Sequence, residues 1–465
     1  MEEAVWKKKF KLPHIFVLLT GIIFVCAIAS WVLPAGEFER VPNAAGRMVV
    51  VPGTYHAVDP SPVGLFGAVK AIYSGMVDAA GVVFFVFLAY ASISVLLSTG
   101  AFNGLVAGML RLFRGKFRAV IIPFFIILLG TASSTIGMFE EALPFIPVFV
   151  GISIAMGYDA IVGIAIVSLG VGLGYSGAAT NPFTVGIAQD IAGLPPMSGA
   201  LYRVVCHLAM TAVASVYTVR YALRIQREPA KSLVYGEDFR KLAMDAKSLV
   251  KKPFGVREKL VLLDFAALLA LVVYGCKNWC WRFEEICAVF IITAVIAAAI
   301  MGWGPNVIAD KMVSGFGEIT MACMMLGIAR GIPVVLSQGR IIDTVVYGMA
   351  QPLAGLPAWL AGEAMLIFQT LLNFLIPSGS GQASTSMPIM APLSDLLGVS
   401  RQVAVLAFQF GDGISNVLWP TAFAPVVAGL GGVRLATWWR WFVPLFMLIL
   451  LTQMALVAIG TAIGW

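Results

Sequence analysis

Gly130-Thr-Ala-Ser-Ser-Thr-Ile-Gly-Met-Phe-Glu-Glu-Ala-Leu-Pro144 is a polar block set inside apolar sequence, and the apolar segment after it is interrupted at Gly174-Tyr-Ser-Gly-Ala-Ala-Thr-Asn-Pro182. The chain repeats this pattern once. Pro377-Ser-Gly-Ser-Gly-Gln-Ala-Ser-Thr-Ser-Met-Pro388 is followed by a segment interrupted at Gly411-Asp-Gly-Ile-Ser-Asn416. Hydrocarbon supplies no hydrogen-bond partners, so irregular backbone at membrane depth has to face protein or a water-filled cavity. Polar hairpins and broken segments paired in the two halves of a chain predict a secondary transporter.

The surrounding sequence supports a membrane setting. Of the 465 residues, 60% are hydrophobic and 12% charged, far more apolar than ordinary soluble usage. The basic Lys7-Lys-Lys-Phe-Lys11 runs into an apolar stretch, Ile15 to Leu33, that is long enough to span and lacks a small-residue cleavage site. It reads as a retained first helix with a cytoplasmic N-terminus. The net charge of +7 comes from clusters beside span ends, at Lys7 to Lys11, Arg111 to Arg118 and Arg220 to Lys259. Such clusters set orientation and argue against nucleic-acid binding. Cys276 and Cys280 lack the second pair that a zinc site wants; they read as loop-edge thiols, with a disulfide open to them if that loop is extracytoplasmic. Neither a metal centre nor a cofactor is expected.

Spans of about twenty apolar residues then organise the chain. Residues 1–65 form the first helix and an extracytoplasmic segment, and 66–224 a first repeat with a span near Ala79 to Leu97. An amphipathic stretch, Phe102 to Leu112, is expected to lie along the cytoplasmic surface. The first repeat continues with a re-entrant hairpin over 119–157, its two half-length arms meeting near Ser133 to Gly137, a broken helix over 160–191 and a span from Leu201 to Leu223. Residues 225–302 hold a basic loop and two linking spans. The second repeat, 303–465, has a hairpin over 357–398 and a broken helix over 402–430. Ser74-Gly75-Met-Val-Asp78 is echoed by Ser314-Gly315-Phe-Gly-Glu318. The loop before the first hairpin is basic, and Gln351 to Leu360 before the second has no Lys or Arg, which places the two on opposite faces. The expectation is an all-α polytopic protein of nine full spans, with inverted repeats, two re-entrant hairpins and two broken helices, its C-terminus outside.

Candidate site residues follow from chemistry. Carbonyl and hydroxyl oxygens hold hard cations, so Ser133, Thr135, Gly174 and Ser176 in the first half, and Ser384, Thr385, Ser386, Gly411 and Ser415 in the second, are candidate ion ligands for sodium; coupling to protons is the alternative. The competing reading is that these hydroxyls bond the preceding turn or let helices pack closely. Glu140 and Glu141 are costly at membrane depth and mark a pathway or partner. With Ser134, Thr180, Asn181, Ser378, Ser380, Asp412 and Asn416 they are the candidate substrate contacts. No Lys or Arg lies at a tip or break, so an acidic, hydroxyl-lined cavity is expected, favouring a cationic or zwitterionic substrate. Arg330 reads as structural. An anion is still open, because half-helix N-termini bind carboxylates. Gly379-Ser380-Gly381 superficially resembles a serine-nucleophile turn, but His14, His56 and His207 have no partner motif, so no catalytic residue is assigned. An open channel fits broken helices and opposed hairpins poorly.

Gly137-Met-Phe-Glu-Glu-Ala-Leu-Pro-Phe145, Gly174 to Phe183, Pro377 to Ala383 and Gly411 to Asn416 together resemble the YfcC-type carriers of the ion-transporter superfamily, relatives of the divalent-anion/sodium symporters and aminobenzoyl-glutamate transporters. The likeness runs from about Leu12 to the end. It implies a dimerising scaffold and a moving, elevator-type transport domain in a bacterial cytoplasmic membrane. It also implies amino-acid transport, basic ones as in arginine/ornithine exchange, with dicarboxylates for related carriers. Where the divalent-anion symporters use Ser-Asn-Thr at the tips, this chain has Ser133-Ser134-Thr135 and Ser384-Thr385-Ser386.

Overall fold

The computed structural model describes residues 13–42, 48–102, 104, 115–239, 242, 255–279 and 281–465. Most of Phe102 to Leu112, the basic Lys7 to Lys11, much of the 225–259 loop and Cys280 fall outside them, so those expectations are not addressed further.

Helix α1 (Ile15–Val32) leads into two small antiparallel sheets, β1 (Gly36–Glu37) with β4 (His56–Ala57) and β2 (Arg40–Pro42) with β3 (Met48–Val50). These short strands are the one departure from an all-helical chain among the described residues. Next come α2 (Leu65–Asp78) and α3 (Ala80–Ser98). The first hairpin is α4 (Ile121–Ile136), a turn, a 3₁₀ segment Glu140–Phe145 and α5 (Ile146–Ala155). The first broken helix is α6 (Ala160–Ser176) and α7 (Val185–Ile191). Then follow α8 (Ala200–Arg227), α9 (Val256–Asn278), α10 (Phe283–Met301), α11 (Pro305–Ala329), α12 (Gly331–Gln338) and α13 (Ile342–Ala350). The second hairpin is α14 (Ala358–Leu375) and α15 (Gly379–Leu396), and the second broken helix is α16 (Arg401–Gly413), a 3₁₀ turn Ile414–Val417 and α17 (Ala424–Leu430). Helix α18 (Leu435–Ala462) ends the fold.

Nine helices among the described residues are long and apolar enough to cross a bilayer. The number matches the sequence expectation, but the membership differs. Arms 118–136 and 358–375 of the hairpins qualify, and the two broken helices do not. The arms are therefore longer than the expected half-spans: α4 extends about 24 Å at 1.5 Å per residue, against a hydrocarbon core of about 30 Å. The turns also fall away from the expected centres, the first later than Ser133 to Gly137 and the second at the very start of its polar block. The first lies at Gly137–Phe139, where Gly137 takes φ +79°, and the second at Ile376–Ser378. Ser133, Ser134 and Thr135 thus close the last turn of α4, while Ser380 to Ser386 lie inside α15.

Each hairpin packs against a broken helix at backbone distance. A Cβ on Gly174 would sit 2.2 Å from the Gly130 carbonyl oxygen of α4. The breaks themselves abut: a Cβ on Gly413 would sit 2.2 Å from Ser176 Oγ, and that hydroxyl accepts the Ile414 N–H at 2.7 Å. Both glycines are contact points that any larger residue would push apart.

The scaffold contacts come in exchanged pairs. Gly75 of α2 lies against the backbone of Gly331, and Gly315 of α11 against Ala91 and Ser94 of α3. Asp78 faces Arg330 at 3.9 Å, while Glu318 accepts a hydrogen bond from Tyr90 at 2.9 Å. The sequence offset that carries Gly75 onto Gly315 also carries Ala91 onto Gly331, Asp78 onto Glu318 and Tyr90 onto Arg330. The two small sheets are fastened to α13 and the turn before it. Arg340 makes a two-pronged pair with Glu37 at 2.7 and 2.9 Å, Arg40 reaches Asp343 at 2.7 Å, and the Tyr55 and Tyr347 rings stack at 4.2 Å.

Candidate functional site

The two hairpin turns meet around a cavity of about 280 Å³, below the roughly 300–1,000 Å³ typical of drug-sized ligands and suited to a small metabolite. The first hairpin contributes Glu140 and Glu141. They are there because α4 stops at the left-handed Gly137 and the chain resumes as a 3₁₀ segment, with Pro144 within it. Glu141 Oε2 accepts the Phe139 N–H at 3.0 Å, which ties that carboxylate back onto its own turn. Glu140 also lines a smaller adjoining void shared with Arg330. The second hairpin contributes Ser378, Gly379 and Ser380, the first residues of α15, with Ser378 Oγ accepting from the Gly381 N–H at 3.4 Å. This is a helix start aimed at the cavity, with its N–H groups and the positive end of its dipole.

Aromatic rings close the remaining sides. Phe139 packs edge-on to Tyr175 at 5.3 Å and against Phe423 at 5.0 Å, so the first turn is wedged between the two broken helices. Cys276, Trp281 and Arg282 at the α9–α10 connection complete the wall.

The expected lysine- and arginine-free cavity is not what forms. Arg330, between α11 and α12, and Arg282 both line it. Neither is at a tip or break; the walls are shared with helices far away in sequence, which a reading of the polar blocks alone does not include. Arg330 was legible as an ionisable residue inside an apolar span, itself a pointer to function, and reading it as structural missed it. Its ion-pair partner, Asp78, is 3.9 Å away, which leaves the guanidinium half-committed. Tyr175, a cavity wall, was also missed.

Of the predicted substrate contacts, Glu140, Glu141, Ser378, Ser380 and Asn416 line the cavity. Ser134, Thr180, Asn181 and Asp412 do not. Ser134 donates to the Gly177 carbonyl at 3.0 Å and accepts the Ala179 N–H, Thr180 donates to the Thr135 carbonyl, and Asn181 Oδ1 accepts the Phe183 N–H. Ser134 and Thr180 thus staple α4 to the first break, and Asn181 braces the break itself.

The candidate ion ligands are similarly engaged. Ser133 donates to the Val171 carbonyl at 2.8 Å and Thr135 to the Thr131 carbonyl at 2.7 Å. Ser384, Thr385 and Ser386 donate to carbonyls four residues back at 2.9, 2.9 and 2.8 Å. Ser415 donates to the Gly411 carbonyl, and Ser176 receives Ile414. Gly174 serves close packing. Helical geometry explains this: a Ser or Thr inside a regular turn finds the carbonyl one turn earlier within reach. His207 is buried, with Nδ1 3.2 Å from the Leu173 carbonyl oxygen.

The sequence profile of the DcuC family, described as the C4-dicarboxylate anaerobic carriers, matches residues 12–462. The chain belongs to the DcuC family. It is accordingly a multi-pass membrane carrier. Within the curated proteins it is 29% identical to “Putative basic amino acid antiporter YfcC” of Escherichia coli (strain K12), over 92% of this chain and 91% of that one, which bears out the resemblance to YfcC-type carriers. It is 28% identical to an uncharacterized protein of Haemophilus influenzae over 100% of this chain and 99% of that one. The YdaH transporter of Alcanivorax borkumensis aligns at 15% identity and a TM-score of 0.46, over 97% of this chain and 99% of that one.

Proposed function

We propose that this DcuC-family carrier transports amino acids with a preference for basic ones, by exchange or by cation-coupled uptake. The observation behind this is one cavity holding two carboxylates, Glu140 and Glu141, together with Arg330 and the start of α15. A basic amino acid presents a cationic side chain, an ammonium and a carboxylate. The carboxylates accept from the cations as charge-assisted hydrogen bonds. Arg330 and the N-terminal N–H groups of α15 take the substrate's carboxylate. Ser378, Ser380 and Asn416 supply neutral contacts. The name of the Escherichia coli relative points the same way.

The exchanged scaffold contacts support an inverted repeat with its pseudo-two-fold axis between α2–α3 and α11–α12, the arrangement that underlies alternating access. In this reading the hairpins and broken helices move as one body against the scaffold, a second copy dimerises through the scaffold, and the N-terminus is cytoplasmic with the C-terminus outside a bacterial inner membrane. With that orientation the α9–α10 connection is outside, and a cavity walled by it leans outward.

A second reading, a C4-dicarboxylate carrier, is favoured by the family's description and by Arg330 with Arg282 on one wall. Counterflow in proteoliposomes with labelled arginine, ornithine, a neutral amino acid and succinate, with and without a sodium gradient, separates the two. Arginine and ornithine uptake is expected. Uptake of succinate alone would overturn the amino-acid reading in favour of the second.

A further inference from the structure

Asp412 is in the last turn of α16, fully buried, with neither carboxylate oxygen meeting a hydrogen-bond partner. Its own backbone carbonyl, by contrast, is doubly used: Asn373 Nδ2 donates to it at 2.8 Å and Asn416 Nδ2 donates to it as well. Beside it the Asn373 Oδ1 is another buried acceptor without a donor. The carboxylate lies directly behind the cavity wall. A Cβ placed on Gly379 would fall 2.9 Å from Asp412 Oδ2 and 2.9 Å from the Tyr175 hydroxyl, and both Gly379 and Tyr175 line the cavity. One glycine therefore separates the buried acid from the space proposed for substrate.

An isolated ionised carboxylate in such a place is expensive, and it either takes a proton or acquires a cation. The choice between them follows from the neighbours. Sodium needs a shell of free oxygens, yet the carbonyls of this break are already occupied: Gly411 by the Ser415 hydroxyl, Asp412 by two amides and Gly413 by Asn416. The hydroxyl of Ser176 is held by the Ile414 N–H. A proton needs no shell, only one oxygen to sit on and one acceptor to face.

Charged and titratable neighbours are few. Tyr175 of α6 lies beside the acid at Gly379, and Glu140 of the first hairpin lines the cavity in front of it. Helix α14 presents Asn373 here, while its Glu363 follows Gly362, which packs against Val403 near the other end of α16. Asp395 of α15 pairs with Arg401 at that same far end, where α7 with its Asp190 also reaches Arg401 through the Ala192 carbonyl. Helix α18 offers the amide of Gln453.

We infer that Asp412 is a proton-binding site that couples proton movement to substrate movement, protonated in this closed-off geometry and discharging when the break and Gly379 separate. The step is a single protonation, carboxylate plus proton to carboxylic acid, with the Tyr175 hydroxyl as the group nearest the cavity. It rests on reading the cavity as the substrate site.

Two measurements on the full-length purified protein test it. The first is infrared difference spectroscopy, which requires no transport. A protonated-carboxyl stretching band is expected at neutral pH in the wild type, shifted in Asp412→Glu and missing in Asp412→Asn; no such band in the wild type overturns the inference, even if neither variant folds. The second is accumulation in sodium-free proteoliposomes of whichever labelled substrate moves, arginine or succinate. With one proton per substrate, a one-unit pH gradient supports up to about tenfold accumulation, which Asp412→Asn is expected to abolish. Undiminished accumulation by a folded Asp412→Asn, or a wild type driven by sodium and indifferent to pH, overturns it. A failure of the arginine reading alone shows as succinate transport with the infrared band intact.

Discussion

The first hairpin leaves its turn through an irregular 3₁₀ segment, Glu140–Phe145, whereas the second leaves its turn straight into α15, a helix of 18 residues. Both turns border the same cavity, and this one difference in backbone decides what each presents there. An irregular segment lets adjacent residues Glu140 and Glu141 both reach the cavity, which neighbouring positions on one helix could not do. A regular helix aims its N–H groups at the cavity and turns its hydroxyls inward, onto its own preceding carbonyls. The two hairpins are thus electrostatically unequal: carboxylates on the first turn and a helix start on the second, with Arg330 lining the same cavity.

The most direct way to break this comparison is to neutralise each side separately. Glu140→Gln removes a charge-assisted contact of about 2 kcal/mol, so arginine transport efficiency is expected to fall roughly thirtyfold, with neutral amino acids changed far less. Equal losses for arginine and a neutral amino acid would remove Glu140 from charge recognition. For the positive charge, Arg330→Gln is expected to weaken every carboxylate-bearing substrate by a similar factor, roughly tenfold to thirtyfold, in a binding assay across the same set. Selective loss of one substrate would contradict a shared carboxylate contact.

A smaller effect, on stability instead of selectivity, probes the packing that sets the two sides in place. Gly174→Ala and Gly413→Ala each put a methyl 2.2 Å from a neighbouring oxygen. Each is expected to destabilise the protein by about 1–3 kcal/mol, read as a lower thermal midpoint in detergent. An unchanged midpoint would show that the breaks have room to spare.

Outside the membrane, the Arg340 guanidinium hydrogen-bonded to Glu37 holds that carboxyl below its usual value of 4.5. Because the folded value is depressed, the pair's contribution is present above about 4.5 and is lost as pH falls through the folded value. Glu37 is partly exposed, so about 0.5–1 kcal/mol is at stake. Glu37→Gln should flatten the acid limb of a stability–pH curve, and an unaltered limb would assign acid lability elsewhere.

The smallest change is expected from Ser384→Ala and Thr385→Ala. Their hydroxyls bond within α15, so less than about 0.5 kcal/mol and no shift in sodium dependence should follow. A large loss would return those residues to the ion-ligand role.

Local sequence carried far in this molecule because lipid makes local rules strict. Apolar run length marked the spans, and polar blocks inside apolar sequence marked the hairpins to within a few residues, since exposed backbone has no other tolerated place at membrane depth. The placing of each turn within its polar block had a local cause that composition does not reveal: Gly137 adopts the left-handed conformation, and Ser380 to Ser386 remain helical after the Ser378 cap. The candidate hydroxyls donate to protein carbonyls in this structure, and a serine binding a cation and one bonding its own helix look the same in sequence.

By itself, then, the sequence determined a polytopic helical carrier with two hairpins, two broken helices and a carboxylate pair beside the first turn. Only the tertiary structure decided that Arg330 and Arg282 share the cavity with that pair, and that Asp412 lies just behind it without a partner. The reason is distance along the chain. A cavity wall is assembled from helices hundreds of positions apart, and neither the sign of the charge across it nor the burial of a single carboxylate is a property of any one segment.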